Sequence, residues 1–344
     1  MMASVFIHKD QSSPTTLSEI KRIQEWVGPT DFFGIYAYAT LSGISSFDIE
    51  ISSSFWTNTT SRWLFGIDYG RTQPQALRKI YEKENTEVRV FDGAWVVDQD
   101  GFMPRRDFHA KLSIQSNFLI DRFGMVVGSG NFSANGLRRN IEAGSSLCIS
   151  GVEEYESSIE ESVEFANSLW DRSTPLSEIL DVYEERWKDS ISRSFEKKQG
   201  EENNVYGPKE IFWIEAGYVT KNRGANRPGN QIDFPKGMSR YFGFNPPDNL
   251  PVNTVIGEIT FETPDGDSVT RNLRLGNNQM EKITLPIPET HGFDIYDGKI
   301  LVFQLSSSGY FMSALEAEDF EKAFGDRLSE IRVMGSGRRY GHIE

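Results

Sequence analysis

The sequence predicts two regions of different class: an α/β first half, with a mixed sheet flanked by helices, and a mainly β second half. Three observations carry this. Strand-like and helix-like segments alternate along the first half. A polar, glycine-broken stretch, KKQGEENN, then interrupts the pattern, and short strands separated by turns follow it. The length of 344 residues also exceeds one ordinary core, at about 100–200 residues per domain.

In chain order, SEIKRIQEWV has helical spacing, and FFGIYAYA and WLFGID read as buried strands. QPQALRKIYEKEN reads as an amphipathic helix with Pro74 near its start, and EVRVFDG as a strand. The hydrophobic strands KLSI, GMVVGS and SSLCIS come next. From Val152 to Lys197 the pattern turns helical, with Ile159, Val163, Ala166, Leu169 and Trp170 on one face. The first domain is therefore placed at 1–197, a linker at 198–205, and the second domain at 206–344. There EIFWIEAGYVT, SRYFGF, TVIGEITFE, SVTRNLRL, KITLPIP and KILVFQLSS read as strands. TPDGDS reads as a hairpin turn and LEAEDFEKAFG as a helix. The β half is expected to close like a small barrel.

A composition of 38% hydrophobic and 25% charged residues is that of a globular protein with a core to bury. No run approaches the roughly 18 apolar residues of a membrane helix, and the first residues turn polar too early for a secretory signal, so a cytoplasmic protein with no membrane partner is expected. The single cysteine, Cys148, precludes an internal disulfide and a thiolate metal cage, and its apolar neighbours make it a buried strand residue. The net charge of −14 argues at first against a nucleic-acid partner. That average misleads, because Gly151–Glu185 holds eleven acids against one base, Arg172, while Lys221–Arg240 holds five bases against one acid, Asp233. The acidic segment reads as the solvated face of a helix or a dimer rim. Alternatively it mimics DNA beside a basic groove and restrains cleavage.

Four histidines are available for acid–base work. His8, in IHKD, reads as a residue of a solvated first strand or its end. His109 has better company. In an extended strand His109 and Lys111 share a face and can together receive an anionic group. Downstream, VVGSGNFSANG places Ser129 and Asn131 among glycines that let an oxyanion approach the backbone, and Glu142 follows in NIEAGSSL. This set suits phosphoryl transfer: His109 as nucleophile, Lys111, Ser129 and Asn131 on the nonbridging oxygens, and Glu142 orienting the imidazole. No metal or other cofactor is called for, and His291 and His342 lie far along the chain in the second domain.

HAK, then GSGN, then a glutamate eleven residues beyond the asparagine resembles the HxK…GSxN…E signature of the phospholipase D superfamily. The resemblance implies two such motifs at one active site, one histidine forming a phosphohistidine while the other protonates the leaving oxygen. This chain carries one copy, so the resemblance implies a homodimer sharing one active site. The acid that the signature has five residues after the lysine is replaced by Ser116, with Asn117 next and Asp121 further on. In that departure, in the FGIDYGRTQPQALRKI stretch and in its β-rich second half, the chain resembles metal-independent restriction endonucleases of the NgoFVII and BfiI type. Those join a phospholipase D-like nuclease to a DNA-reading domain similar to the plant B3 fold.

Two loops of the second half carry residue types that read base edges and phosphates in double-stranded DNA. The first holds Lys221, Asn222, Arg223, Asn226, Arg227, Asn230 and Gln231; the second holds Arg271, Arg274, Asn277, Asn278, Gln279 and Lys282. Arg338 and Arg339, in GSGRRYGH, are further candidates for phosphate contact or belong to a disordered tail. The reading is a sequence-specific, metal-independent DNA endonuclease. There is no GxxxxGK[ST] loop, so any ATP use would come from a helicase-like partner subunit. A lipid phosphodiesterase and a noncatalytic DNA-binding protein are the competing readings.

Overall fold

The computed structural model describes residues 1–8, 13–196, 208–224, 227–247, 249–334, 336 and 338–344. The expected linker at 198–205 lies outside them. The chain divides into two compact units, Met1–Ser190 and Ile191–Glu344.

The first unit is built on an eight-stranded mixed sheet. Its strands are β1 (Met2–Ile7), β2 (Asp31–Tyr36), β3 (Thr60–Phe65), β4 (Thr86–Val90), β5 (Lys111–Asn117), β6 (Arg122–Gly128), β7 (Ala143–Ser150) and β8 (Thr174–Pro175), in the order β1-β7-β6-β5-β2-β3-β4-β8. Strands β2, β3 and β4 are parallel, and the rest pair antiparallel. The helices are α1 (Thr16–Val27), α2 (Leu41–Glu50), α3 (Ser54–Asn58), α4 (Pro74–Tyr81), α5 (Gly93–Val96), α6 (Val152–Ser158), α7 (Glu160–Asp171) and α8 (Leu176–Glu196). Thr15 caps α1 by accepting from Ser18 N, and Gly28 ends it in the left-handed region at φ 54°. Sequence periodicity missed α2, because LSGISSFDIE is buried along most of its length and shows no polar stripe.

One core, on the face covered by α1, α2 and α4, centres on aromatics: Trp63, Phe47, Phe55, Phe65 and Phe132 are each at most 2% exposed. Each such side chain contributes about 1.5–3 kcal/mol on burial. The other face of the sheet packs Phe33, Ile35, Leu64 and Ile114 against Ile159, Ala166 and Trp170, the apolar face expected of the acidic helical segment. Cys148 is buried in β7, as expected.

The second unit is a nine-stranded, mainly β sheet: β9 (Ile211–Glu215), β10 (Gln231–Phe234), β11 (Val255–Glu262), β12 (Ser268–Leu275), β13 (Glu281–Thr284), β14 (Ile300–Leu305), β15 (Tyr310–Leu315), β16 (Leu328–Val333) and β17 (Arg339–Ile343), with helix α9 (Ala317–Phe324). The order is β10-β13-β12-β11-β15-β14-β9-β17-β16. The sheet curls strongly into a half-barrel with β10 and β16 at its two ends, so the expected barrel curvature is present without closure.

Two expectations fail here. SRYFGF is not a strand: Met238–Arg240 form a 3-10 turn, held because buried Glu281 accepts from Gly237 N, Ser239 N and Ser239 Oγ. Nor are Arg338 and Arg339, the tail residues expected to meet phosphate or to be disordered, loose at the surface. Arg338 donates to the carbonyls of Ala216 (2.9 Å) and Asp233, and Arg339 pairs with Glu215 while its strand joins the sheet.

Candidate active site

Strands β5, β6 and β7 are antiparallel neighbours, so the start of β5, the end of β6 and the start of β7 lie at one end of the sheet. That register gathers the predicted residues. His109 stands two residues before Lys111, the first residue of β5; Ser129 and Asn131 follow β6; Glu142 immediately precedes β7. Strand β2 ends at the same place, with Tyr36 opposite Lys111. Phe108, Ala110, Leu112 and Ile114 all join the core that packs against α6 and α7. The alternation therefore leaves His109 and Lys111 for the other side, as the strand period predicts.

The loop that holds Asn131 is anchored by its neighbour. Phe132 is fully buried, with its ring 5.0 Å from Tyr36 and 5.1 Å from Trp63. Its backbone donates to Tyr38 O (3.1 Å) and accepts from Thr40 N (3.0 Å). Gly130 is required by close approach: a Cβ there would sit 2.1 Å from Gly136 O. Held this way, Asn131 has a buried side-chain oxygen with no hydrogen-bond partner among the described residues. An orphaned buried amide oxygen costs free energy, and such atoms are found where a ligand or water completes them.

Lys111 Nζ donates to His109 O at 2.8 Å. Burial pushes the Lys111 ammonium below its ordinary pKa, and the negative charge of Glu142 partly offsets this. Ser129 Oγ donates to Glu142 Oε2 and accepts from Ala143 N at 3.1 Å. The Ser129 proton is thus committed to a carboxylate rather than offered to an incoming oxyanion. Glu142 was expected to orient His109; its bond runs instead to Ser129, and among the described residues no hydrogen bond joins it to the imidazole.

Ser116, where the signature has an acid, lies far from His109. Ser116 is five residues along β5 from Lys111, about 17 Å at 3.3–3.4 Å per residue. At that far end Asn117 donates to Gly28 O (2.6 Å) and Ser116 O accepts from Thr30 N (3.0 Å). The segment ties strand to helix there, well away from His109.

Asp68 lies in the FGIDYGRTQPQALRKI stretch, outside the HAK, GSGN and glutamate motifs. It follows β3 and is 8% exposed; its Oδ2 accepts from Phe108 N at 2.9 Å, while Oδ1 is buried without a partner. Burial raises its pKa; the hydrogen bond from Phe108 and the nearby His109 work against this, and Asp107 works with it. Only strand order, with β3 beside β2 and β2 beside β5, brings Asp68 to His109.

His8 is no solvated strand end. It is 3% exposed, accepts from Thr16 N through Nε2 (2.6 Å), and makes a 3.0 Å bond through Nδ1 to Asn140 O. Burial lowers its pKa, partly opposed by the Asn140 carbonyl and by Glu142. Both ring nitrogens are spent on structure. Lys9 and Asp10 lie outside the described residues.

The two expected DNA arms flank β10 and β13, which pair at one end of the second sheet. Many of their polar groups are already used. Arg223 grips Glu289 with two bonds of 2.7 and 2.6 Å. Asn222 donates to Asn230 Oδ1 (2.9 Å), and Asn230, 3% exposed, donates to Leu285 O (2.7 Å). Lys282 stands 3.6 Å from Asp233, and Asn278 donates to the same carboxylate at 3.1 Å. Arg271 donates to Thr270 O at 3.3 Å, and Lys221 and Gln231 are half-buried. Arg227, Arg274, Asn277 and Gln279 are exposed, Gln279 at the β12–β13 turn with φ 63°. Asn226 lies outside the described residues.

Among the described residues, one group has three metal-ligand atoms within 4.8 Å of one another: Asp265 and Asp267 in the β11–β12 hairpin, with His291. His291 Nδ1 is 3.6 and 3.5 Å from the two carboxylates. It lies in the second unit, and the His109 group has no such trio.

No family model and no curated protein matches the chain. Solved structures do match in part. NucT from Helicobacter pylori aligns at 13% identity over 51% of this chain and 98% of its own, with a TM-score of 0.35. Nuc from Salmonella typhimurium, a phospholipase D family member, aligns at 13% identity over the same shares, with a TM-score of 0.34. Phosphatidylserine synthase of Haemophilus influenzae aligns at 12% identity over 57% of this chain and 46% of its own, with a TM-score of 0.37. At scores of this size, function has to be read from the residues of the site. No helix among the described residues is long and apolar enough to cross a membrane.

Proposed function

We propose that the chain is a phosphodiesterase working through a covalent phosphohistidine on His109, and that its substrate is double-stranded DNA. The observation that carries this reading is the gathering of His109, Lys111, Asn131 and Glu142 at one end of β5, β6 and β7. In the first step an imidazole nitrogen bonds to phosphorus as the bond from phosphorus to the leaving sugar oxygen breaks. That oxygen takes a proton from the partner's His109, supplied by a homodimer that shares one site. Water, giving its proton to the same partner group, then displaces the histidine and restores the enzyme. Lys111 supplies positive charge for the nonbridging oxygens, and the Asn131 amide supplies hydrogen bonds. The step needs no metal ion. In the second unit a B3-like role in reading a DNA sequence is favoured by the side-by-side placing of the two arms, with Arg227, Arg274, Asn277 and Gln279 exposed for it.

The test is plasmid cleavage in excess EDTA by the wild type and by His109→Ala, with and without ATP and a cognate helicase-like subunit, and with phospholipid vesicles as an alternative substrate. DNA cleavage that resists EDTA and is lost in His109→Ala supports the proposal. Cleavage that persists in His109→Ala overturns it, and turnover of the lipid alone moves the substrate to a lipid phosphodiester.

A further inference from the structure

The first unit holds a buried carboxylate oxygen without a hydrogen-bond partner among the described residues, that of Asp68, close to His109. Asp68 sits in the turn after β3, on the strand next but one to β5. One of its oxygens accepts from Phe108 N and so fixes the backbone of the residue before His109. The other, Oδ1, is buried and free of hydrogen bonds among the described residues. Such an atom is costly to keep unless a donor reaches it in some functional state. Asp107 is already engaged by Tyr69, whose hydroxyl donates to it at 2.8 Å. Glu142 is engaged by Ser129. The His109 imidazole makes no hydrogen bond within the chain among the described residues, so His109 and Asp68 each lack what the other can supply.

We propose that Asp68 is the positioning carboxylate of His109, its free oxygen accepting the N–H of the imidazole nitrogen that does not attack phosphorus. The proposal rests on the reading of His109 as nucleophile. A carboxylate in this place selects one tautomer, leaving the other nitrogen's lone pair for phosphorus. It also opposes the positive charge that the ring acquires when that nitrogen forms its new bond. The same contact works through the backbone, because the Phe108 bond and the imidazole bond draw on the two oxygens of one group. Positioning would then come from within the chain, leaving Glu142 to hold Ser129 and to face Lys111.

The experiment compares Asp68→Asn, Asp68→Glu and Asp107→Asn in the full-length chain. It reads the nitrogen chemical shifts of the labelled His109 imidazole, the single-turnover rate and KM on plasmid DNA, and the thermal midpoint. Asp68→Asn is expected to move the His109 nitrogen shifts and to slow single turnover by about a hundredfold or more, with KM within about threefold. Asp68→Glu should recover part of the rate, and Asp107→Asn should leave His109 unmoved. Unchanged His109 resonances in Asp68→Asn, or a larger shift in Asp107→Asn, would overturn the proposal. The resonance arm is independent of turnover, so a wild type inactive on every phosphodiester defeats the function while Asp68 is still judged by the spectrum. If Asp68→Asn does not fold, Asp68→Glu decides alone: wild-type resonances in it would overturn the contact.

Discussion

The sheet end around His109 and the arms beside β10 and β13 are both rich in polar residues, yet they use them differently. At the first, Asn131 Oδ1 and Asp68 Oδ1 are buried and left without partners. At the second, Arg223, Asn222, Asn230 and Asn278 are bonded to Glu289, Asn230, Leu285 O and Asp233, while Arg271 Nε and Asp233 Oδ1 are buried without hydrogen-bond partners among the described residues. A polar group buried without a bond within the chain needs a ligand or an ordered water to complete it, whereas one that is already satisfied has a structural reason to exist. Residue type alone cannot separate the two cases, since Asn131 and Asn230 look equally suitable in the sequence.

The sharpest way to break this contrast is at its two asparagines. Asn131→Ala should lower turnover by about 10²–10³ while leaving the thermal midpoint near wild type, the size seen when one preorganised donor to a developing oxyanion is removed. A variant that unfolds, or one that turns over normally, removes Asn131 from the site. Asn230→Ala should do the reverse. It strands Leu285 O and the Asn222 amide, costing about 1–3 kcal/mol in urea unfolding. DNA affinity measured below the transition should hold.

His8 sharpens the contrast within one residue type, because both of its ring nitrogens are bonded within the chain while the exposed His109 imidazole makes no hydrogen bond among the described residues. Burial depresses the His8 pKa below its ordinary 6.5, so the folded state binds fewer protons than the unfolded chain. The stability this contributes is fully present above pH 6.5 and is lost as pH falls through 6.5 toward the folded value. Each unit of depression is worth about 1.4 kcal/mol. His342 is depressed in the same direction, so the measurement is the difference between wild type and His8→Gln in urea unfolding from pH 8 to pH 5. Wild type should lose more stability on acidification. Equal slopes would mean that the Thr16 bond to Nε2 does not select the neutral ring.

How much of this was legible in the sequence follows from the range of each cause. Strand alternation placed Ala110 and Leu112 in the core and left His109 and Lys111 opposite, because period two is a local property. The link from His109 to Asn131 was readable only through the motif, and its cause, the burial of Phe132 among Trp63 and Tyr36, is a tertiary fact. Asp68 was illegible for a related reason: its place beside Phe108 depends on β3, β2 and β5 being neighbours. The buried helix α2 and the misread SRYFGF turn show the converse limit. In each an apolar run is consistent with strand or helix, and the deciding partner, such as Glu281 for the turn, lies elsewhere in the chain. The tail arginines carried no sign in the sequence that Glu215 and the Ala216 carbonyl would claim them.

The smallest expected effect tests the contrast inside one arm. Arg223 and Arg227 are four residues apart, but Arg223 is gripped by Glu289 and Arg227 is exposed. An exposed arginine that meets a phosphate should, on change to alanine, weaken DNA binding modestly at all sequences and reduce the slope of log affinity against log salt by about 1. Arg223→Ala should leave both quantities near wild type, because its positive charge is already neutralised by Glu289 and must surrender that pair before it can meet a phosphate. Fluorescence anisotropy across a salt series, with both single variants and Glu289→Gln, reads the difference. Arg223→Ala weakening binding more than Arg227→Ala would show that the ion pair opens on DNA, and internal satisfaction would then cease to separate structural from functional residues in this arm.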